Sequence, residues 1–185
     1  TRPYFLEVLR LYNESKLTLT QVTDIFLTTE SYLFRRTMCD LPTNALNKIF
    51  LMLHREIVRY DGTEDDYVEK FKYALLSKKE RARFPDDVEF KVAFEERPVY
   101  LMNSKNKIYI LERFENFGTS EDKDVYRHCD DGTYSIEHIM PQHLTPVWQK
   151  ELGDDYEQIH EEWLHRMANL TLTAYNSKYN NSSFT

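Results

Sequence analysis

The sequence predicts a mainly helical chain with a small strand–strand–helix (ββα) module at its C-terminal end. Three observations carry this. Helical apolar periodicity runs from residue 4 to about 117. Residues 120–165 then hold twelve Asp or Glu against three Lys or Arg. Two runs rich in β formers, 133–138 and 170–173, flank most of that acidic stretch. We read 1–117 as a helical scaffold and 118–185 as the module, together one C-terminal region of a larger protein. The absence of an initial methionine and the stop just after Phe184 set that last expectation.

Taken in order, Phe5, Val8, Leu9 and Tyr12 form one apolar stripe at helical spacing. Thr20 can cap a helix carrying Val22, Ile25, Phe26, Thr29 and Leu33. Pro42 breaks the chain, and Thr43 or Asn44 can cap the next helix, with Leu46, Ile49, Phe50, Leu53 and Ile57 on one side. Thr63 with Asp66 resembles a capping box before Tyr67, Phe71 and Leu75. Phe84-Pro85-Asp86-Asp87 opens another helix through Phe90 and Phe94, and a last one runs beyond Pro98 through Met102 towards Leu111 and Phe114. In the module, Thr133–His138 alternates loosely and Leu170–Thr173 cleanly. A helical stretch near 154–167 lies between them, and Asn176 can start a short helix ending near Phe184.

Composition excludes several classes. A chain of 185 residues buries about 70% of its unfolded surface, so it needs no staples. Hydrophobic residues at 41% and charged residues at 30% describe a globular protein, not a disordered one. No apolar run reaches the roughly 18 residues of a membrane helix, and no signal peptide opens the chain. Gly62, Gly118, Gly132 and Gly153 cannot form a glycine-rich phosphate cradle. Cys39 and Cys129 lie far apart, which excludes a zinc ribbon or disulfide scaffold and fits a reducing cytoplasm as the expected location. The net charge of −7 argues against a large nucleic-acid footprint. Charged pairs such as Arg35-Arg36 read as solvated or salt-bridged; Arg35, Arg36, Lys105 and Lys107 could touch phosphates, but nothing in their spacing favours it.

The chemistry-bearing residues are Glu137-His138-Ile139-Met140-Pro141-Gln142, then Asn169-Leu170-Thr171-Leu172-Thr173, then Asn176 and Asn180-Asn181. A turn enforced by Pro141 can swing Glu137 and His138 towards one cleft, pairing a hard oxygen ligand with a base that titrates near neutrality. Asn169 can pin the loop that follows His138, and Asn176 is either a helix cap or a neutral oxygen ligand. His143 reads as an exposed loop residue. His160 and His165 do not share a helix face, and packing or capping is the stronger reading for His165. His128 and Cys129 lack ligand partners at suitable spacing, and Trp148 and Trp163 read as anchors of the long connection.

The segment YSIEHIMPQHLTPVWQKELG…LHRMANLTLTAYNSKYNNSSF resembles the C-terminal nuclease domain of GmrSD-type restriction endonucleases, a branch of the HNH or His-Me finger superfamily. SYLFRRTMCDLPTNALNKIF and YILERFEN resemble what precedes that motif in these proteins. The resemblance implies a metal-dependent DNA endonuclease of a defence system. His138 would be its general base and Asn169 would buttress the loop. Glu137, Asn176 and, more weakly, Asn181 would hold Mg²⁺ or Mn²⁺. It further implies DNA as partner and an upstream nucleotide-binding domain of the same protein, absent from these 185 residues. Arg113, Arg166 and Lys178 are the basic residues expected near the cut strand. The interval from Asn169 to Asn176 is shorter than in many HNH enzymes, which leaves the second ligand open. A catalytically degenerate regulatory module and a metal-dependent RNase are the alternative readings.

Overall fold

Periodicity in the first part of the chain becomes four helices closed over an aromatic core. The computed structural model describes residues 1–174 and divides the chain into two compact units, Thr1–Phe94 and Glu95–Thr185. The first holds α1 (Arg2–Asn13), α2 (Leu19–Met38), α3 (Leu46–Arg59) and α4 (Tyr67–Leu76). Tyr4, Val8, Leu11, Ile25, Tyr32, Phe50, Leu53, Ile57, Tyr67, Phe71 and Leu75 are at most 1% exposed. Tyr4 stacks on Phe71 with centroids 5.6 Å apart, and Tyr32 meets Phe50 edge-on.

Several local expectations shift by a residue or two. In α1 the buried stripe is Tyr4, Val8 and Leu11, whereas Leu9 and Tyr12 are exposed. Two apolar stripes share Val8, and only packing chooses between them. Thr18, not Thr20, caps α2, in a reciprocal capping box with Gln21. Ala45 precedes α3 without a side-chain cap. The box expected at Thr63 and Asp66 does not form. Asp66 sits in the left-handed region, and Asp61 accepts the Thr63 N–H instead.

Arg36 and Arg35 are structural. Arg36 is 2% exposed and donates to the carbonyls of Arg81, Arg83 and Pro42. Arg35 donates to the Pro85 carbonyl and pairs with Asp87 at 2.6 Å. Both guanidinium groups are thus committed to their own fold and are not offered to phosphates. Helix α5 (Asp87–Glu96) opens on an Asp86 side chain that accepts the Glu89 N–H, and it crosses the division between units.

The second unit continues with a 3₁₀ turn at Val99–Leu101, α6 (Ser104–Asn116), α7 (Val125–Asp130), β1 (Ser135–His138), α8 (Pro146–Leu152), α9 (Tyr156–Trp163), a 3₁₀ turn at Met167–Asn169 and β2 (Leu170–Thr173). The helix expected to run continuously beyond Pro98 is divided. Pro98 leads into the 3₁₀ turn, and Asn103 then caps α6 by accepting the Asn106 N–H. Helices α7 and α8, not anticipated as elements, start on Asp124 and Thr145 caps inside the acidic stretch.

Strands β1 and β2 pair antiparallel, Ser135 with Thr173 through His138 with Leu170. The architecture is therefore mainly helical with one small two-stranded sheet. The helix expected over 176–184 lies outside the described residues. Among the described residues no helix is long and apolar enough to cross a membrane.

Candidate active site

The site is built on the end of β1. Pairing continues past His138, because the Ile139 N–H donates to the Asn169 carbonyl at 2.9 Å. The chain nevertheless bends at Ile139 and Met140, directly after His138, where the sequence expected a turn. Successive side chains of a strand leave on opposite faces. His138 shares its face with buried Leu170, and Glu137 lies opposite exposed Thr171. Both residues stand at the strand end where the chain bends at Ile139.

Asn169, 7% exposed, clasps the loop that follows. Its side-chain oxygen accepts the Met140 N–H at 2.6 Å, and its amide donates to the carbonyls of Met140 at 3.1 Å and Leu164 at 2.9 Å. One buried amide thus satisfies three backbone groups that a turn would otherwise leave unpaired. His160 of α9 adds a further hold, its Nε2 donating to the Pro141 carbonyl at 2.9 Å. The stretch 139–141 is fixed from two sides.

His138 is half-buried in a cluster of rings. Its Nε2 lies 3.4 Å from His165 Nδ1, the long end of a hydrogen bond. The Tyr100 ring meets His138 edge-on at 4.3 Å and stacks on His165 at 5.4 Å. The Tyr100 N–H donates to the His165 carbonyl at 3.0 Å, which ties the two chain segments together. Lys107 lies with Nζ 4.7 Å from the Tyr100 centroid. Burial first, and then the electrostatic influence of neighbouring His165, His160 and Lys107, holds the His138 imidazole below its ordinary pKa. The shift favours the neutral ring, which has a lone pair to offer.

A family comparison gives this arrangement its setting. The family described as GmrSD restriction endonucleases, C-terminal domain, matches residues 84–185, more than half of the chain. The chain belongs to that family. The matched stretch contains β1, β2 and every ring around His138, and it leaves residues 1–83 outside. No curated protein and no solved structure matches the chain.

In this GmrSD C-terminal domain, sequence reasoning singled out His138, Asn169 and Glu137, which the structure gathers at one strand end and the 3₁₀ turn beside it. Asn176 and Asn181 lie outside the described residues. His143 is exposed in the loop. Tyr100 was not anticipated, and the contacts of His165 and Lys107 with it were not legible. Tyr100 and Lys107 sit 38 and 31 residues before His138, in a 3₁₀ turn and in α6, so no local spacing links them to it.

A divalent cation can be tested against the donors present. Glu137 is half-buried, and its carboxylate has no hydrogen bond or ion pair among the described residues. No three His, Cys, Asp or Glu side chains gather as a metal centre among the described residues. One available carboxylate suits a hard ion such as Mg²⁺, which binds through one or two carboxylates, water and substrate phosphate. The donor chemistry fits that kind of site.

Proposed function

We propose that this chain is the nuclease domain of a DNA-cutting defence enzyme, built as a ββα-metal (HNH or His-Me finger) module with His138 as general base. The observation that carries the reading is the environment of His138. It is half-buried, shifted towards its neutral form, ringed by Tyr100 and His165, and followed by a loop that Asn169 clasps. Family membership supports nuclease chemistry of the restriction-endonuclease type.

Under this reading a water molecule attacks a phosphodiester phosphorus of DNA while an imidazole nitrogen of His138 takes its proton. The new P–O bond forms as the bond to the 3′ oxygen breaks, and that oxygen leaves with a proton from solvent. His138 has only two ring nitrogens, and Nε2 faces His165 Nδ1. If Nε2–H donates to His165, then Nδ1 carries the lone pair and is the base. The opposite tautomer would occupy both nitrogens and leave no base. His165 is therefore the residue that holds the competent tautomer, as hydrogen-bonded partners orient imidazoles elsewhere.

Glu137 is the ligand for Mg²⁺ or Mn²⁺, with Asn176 and Asn181 assigned to the same ion on the family resemblance. Bound there, the cation supplies Lewis-acid chemistry, offsetting negative charge on the phosphate and on the departing oxygen. Target discrimination and nucleotide dependence are assigned to an upstream domain.

The test is nicking of supercoiled plasmid by the protein. Cleavage is expected with Mg²⁺ or Mn²⁺ and none in EDTA. Undiminished cleavage in EDTA would overturn the metal assignment.

A further inference from the structure

Lys107 and Arg36 are the two cations among the described residues that are not exposed and yet have no carboxylate partner. Arg10, Lys16, Lys70, Lys72, Lys78, Lys123 and Arg166 each have a carboxylate within ion-pair distance. That is unsurprising in a protein of net charge −7. Lys107 has no carboxylate partner among the described residues, although it is half-buried. Its ammonium is held by a ring face instead, 4.7 Å from the Tyr100 centroid. A ring face attracts the charge without accepting its N–H bonds through lone pairs, so all three ammonium donors stay available for an incoming anion.

The position is set by the fold. Asn103 caps α6, which fixes the turn carrying Lys107, and the Lys107 N–H closes that turn on the Asn103 carbonyl at 3.1 Å. Tyr100, on which the ammonium rests, is the ring that touches His138 at 4.3 Å. The three basic residues expected near the cut strand are less suited. Arg166 pairs with Glu162 at 3.2 Å and lies over Trp163, Arg113 is 3.7 Å from Glu112, and Lys178 lies outside the described residues.

We propose that Lys107, poised on the Tyr100 ring, binds a backbone phosphate of the DNA strand presented to His138. The proposal rests on the nuclease reading and adds its substrate contact. An ammonium beside the base positions the phosphodiester and stabilises charge that grows on it during attack. It also answers the charge objection, because one uncommitted cation at the reacting phosphate matters more than the net balance of the chain.

The test uses a short fluorescent DNA duplex and the protein in EDTA, where binding is read without cleavage. Each phosphate contact contributes about 0.9 to the slope of log affinity against log salt. Lys107→Gln should lower that slope by about one and Lys107→Arg should keep it. Lys72→Gln, which breaks an ion pair with Asp24 in the first unit, should leave it unchanged. With metal restored, Lys107→Gln should cut catalytic efficiency about tenfold, the loss of one charge-assisted hydrogen bond.

An unchanged slope with wild-type efficiency in Lys107→Gln would overturn the proposal, and so would a wild-type protein that binds no duplex at low salt. If the slope falls but no variant cleaves in metal, the phosphate contact stands and the nuclease reading fails. If the wild type cleaves and Lys107→Gln matches it in both assays, the nuclease reading stands and the contact fails.

Discussion

The two units are held by different forces. The first, Thr1–Phe94, is closed by apolar area, with twelve hydrophobic side chains from four helices at most 1% exposed. Around the sheet of the second, directional polar bonds set the geometry. A two-stranded sheet of four residues per strand is marginal by itself. Its loop is held by one asparagine side chain and one histidine. The difference teaches where damage should register. Apolar packing degrades gradually in stability and tolerates small shifts. A clasp that aims an imidazole loses function before it loses the fold.

The largest expected effect on stability belongs to the first unit. Phe71→Ala removes a ring buried against Tyr4 and should cost about 3–5 kcal/mol, read as a lowered denaturant midpoint. The rate per folded molecule should stay near wild type. A variant that kept its stability but lost its rate would break the comparison.

Next comes Asn169→Ala. It leaves the Met140 N–H and two carbonyls without their partner and should cost about 1–3 kcal/mol. Activity should fall about 10–100-fold, as when supporting residues of a site are removed. Hydrogen exchange should quicken at Ile139 and Met140 while the α2–α4 amides remain protected. Uniform quickening across both units would contradict a local clasp.

The smallest effect is the pH dependence of stability. The His138 pKa is lowered in the folded chain, by burial first, so the unfolded chain binds its proton more readily. Above the unfolded value of about 6.5 the ring is neutral in both states and contributes nothing to the difference. As pH falls below that value the unfolded state is protonated first, and stability declines. In metal-free buffer, His138→Gln should flatten this acid-side decline.

Much of the helical scaffold was legible because burial there follows period. The stripe Ile49, Phe50, Leu53 and Ile57 is buried as spaced, and so is Tyr67, Phe71 and Leu75. Caps were less legible, since Thr18 and Thr20 are equivalent as residue types and only the backbone chooses between them. The strand Leu170–Thr173 was readable from alternation, and Asn169 from its place before a strand. Its bonds to Met140 were not, because they close a gap of 29 residues. The same limit hid Tyr100 and the ring contact of His165. Aromatic and histidine residues in separate helical segments carry no shared period, and tertiary packing alone joins them.

The central claim is that His138 acts as a base and not as a packing residue. The direct measurement is plasmid nicking rate and thermal unfolding on one sample of His138→Ala. The claim predicts a rate lower by about 10²–10⁴-fold with a melting temperature close to wild type. A near-wild-type rate per folded molecule with a lowered melting temperature would contradict it.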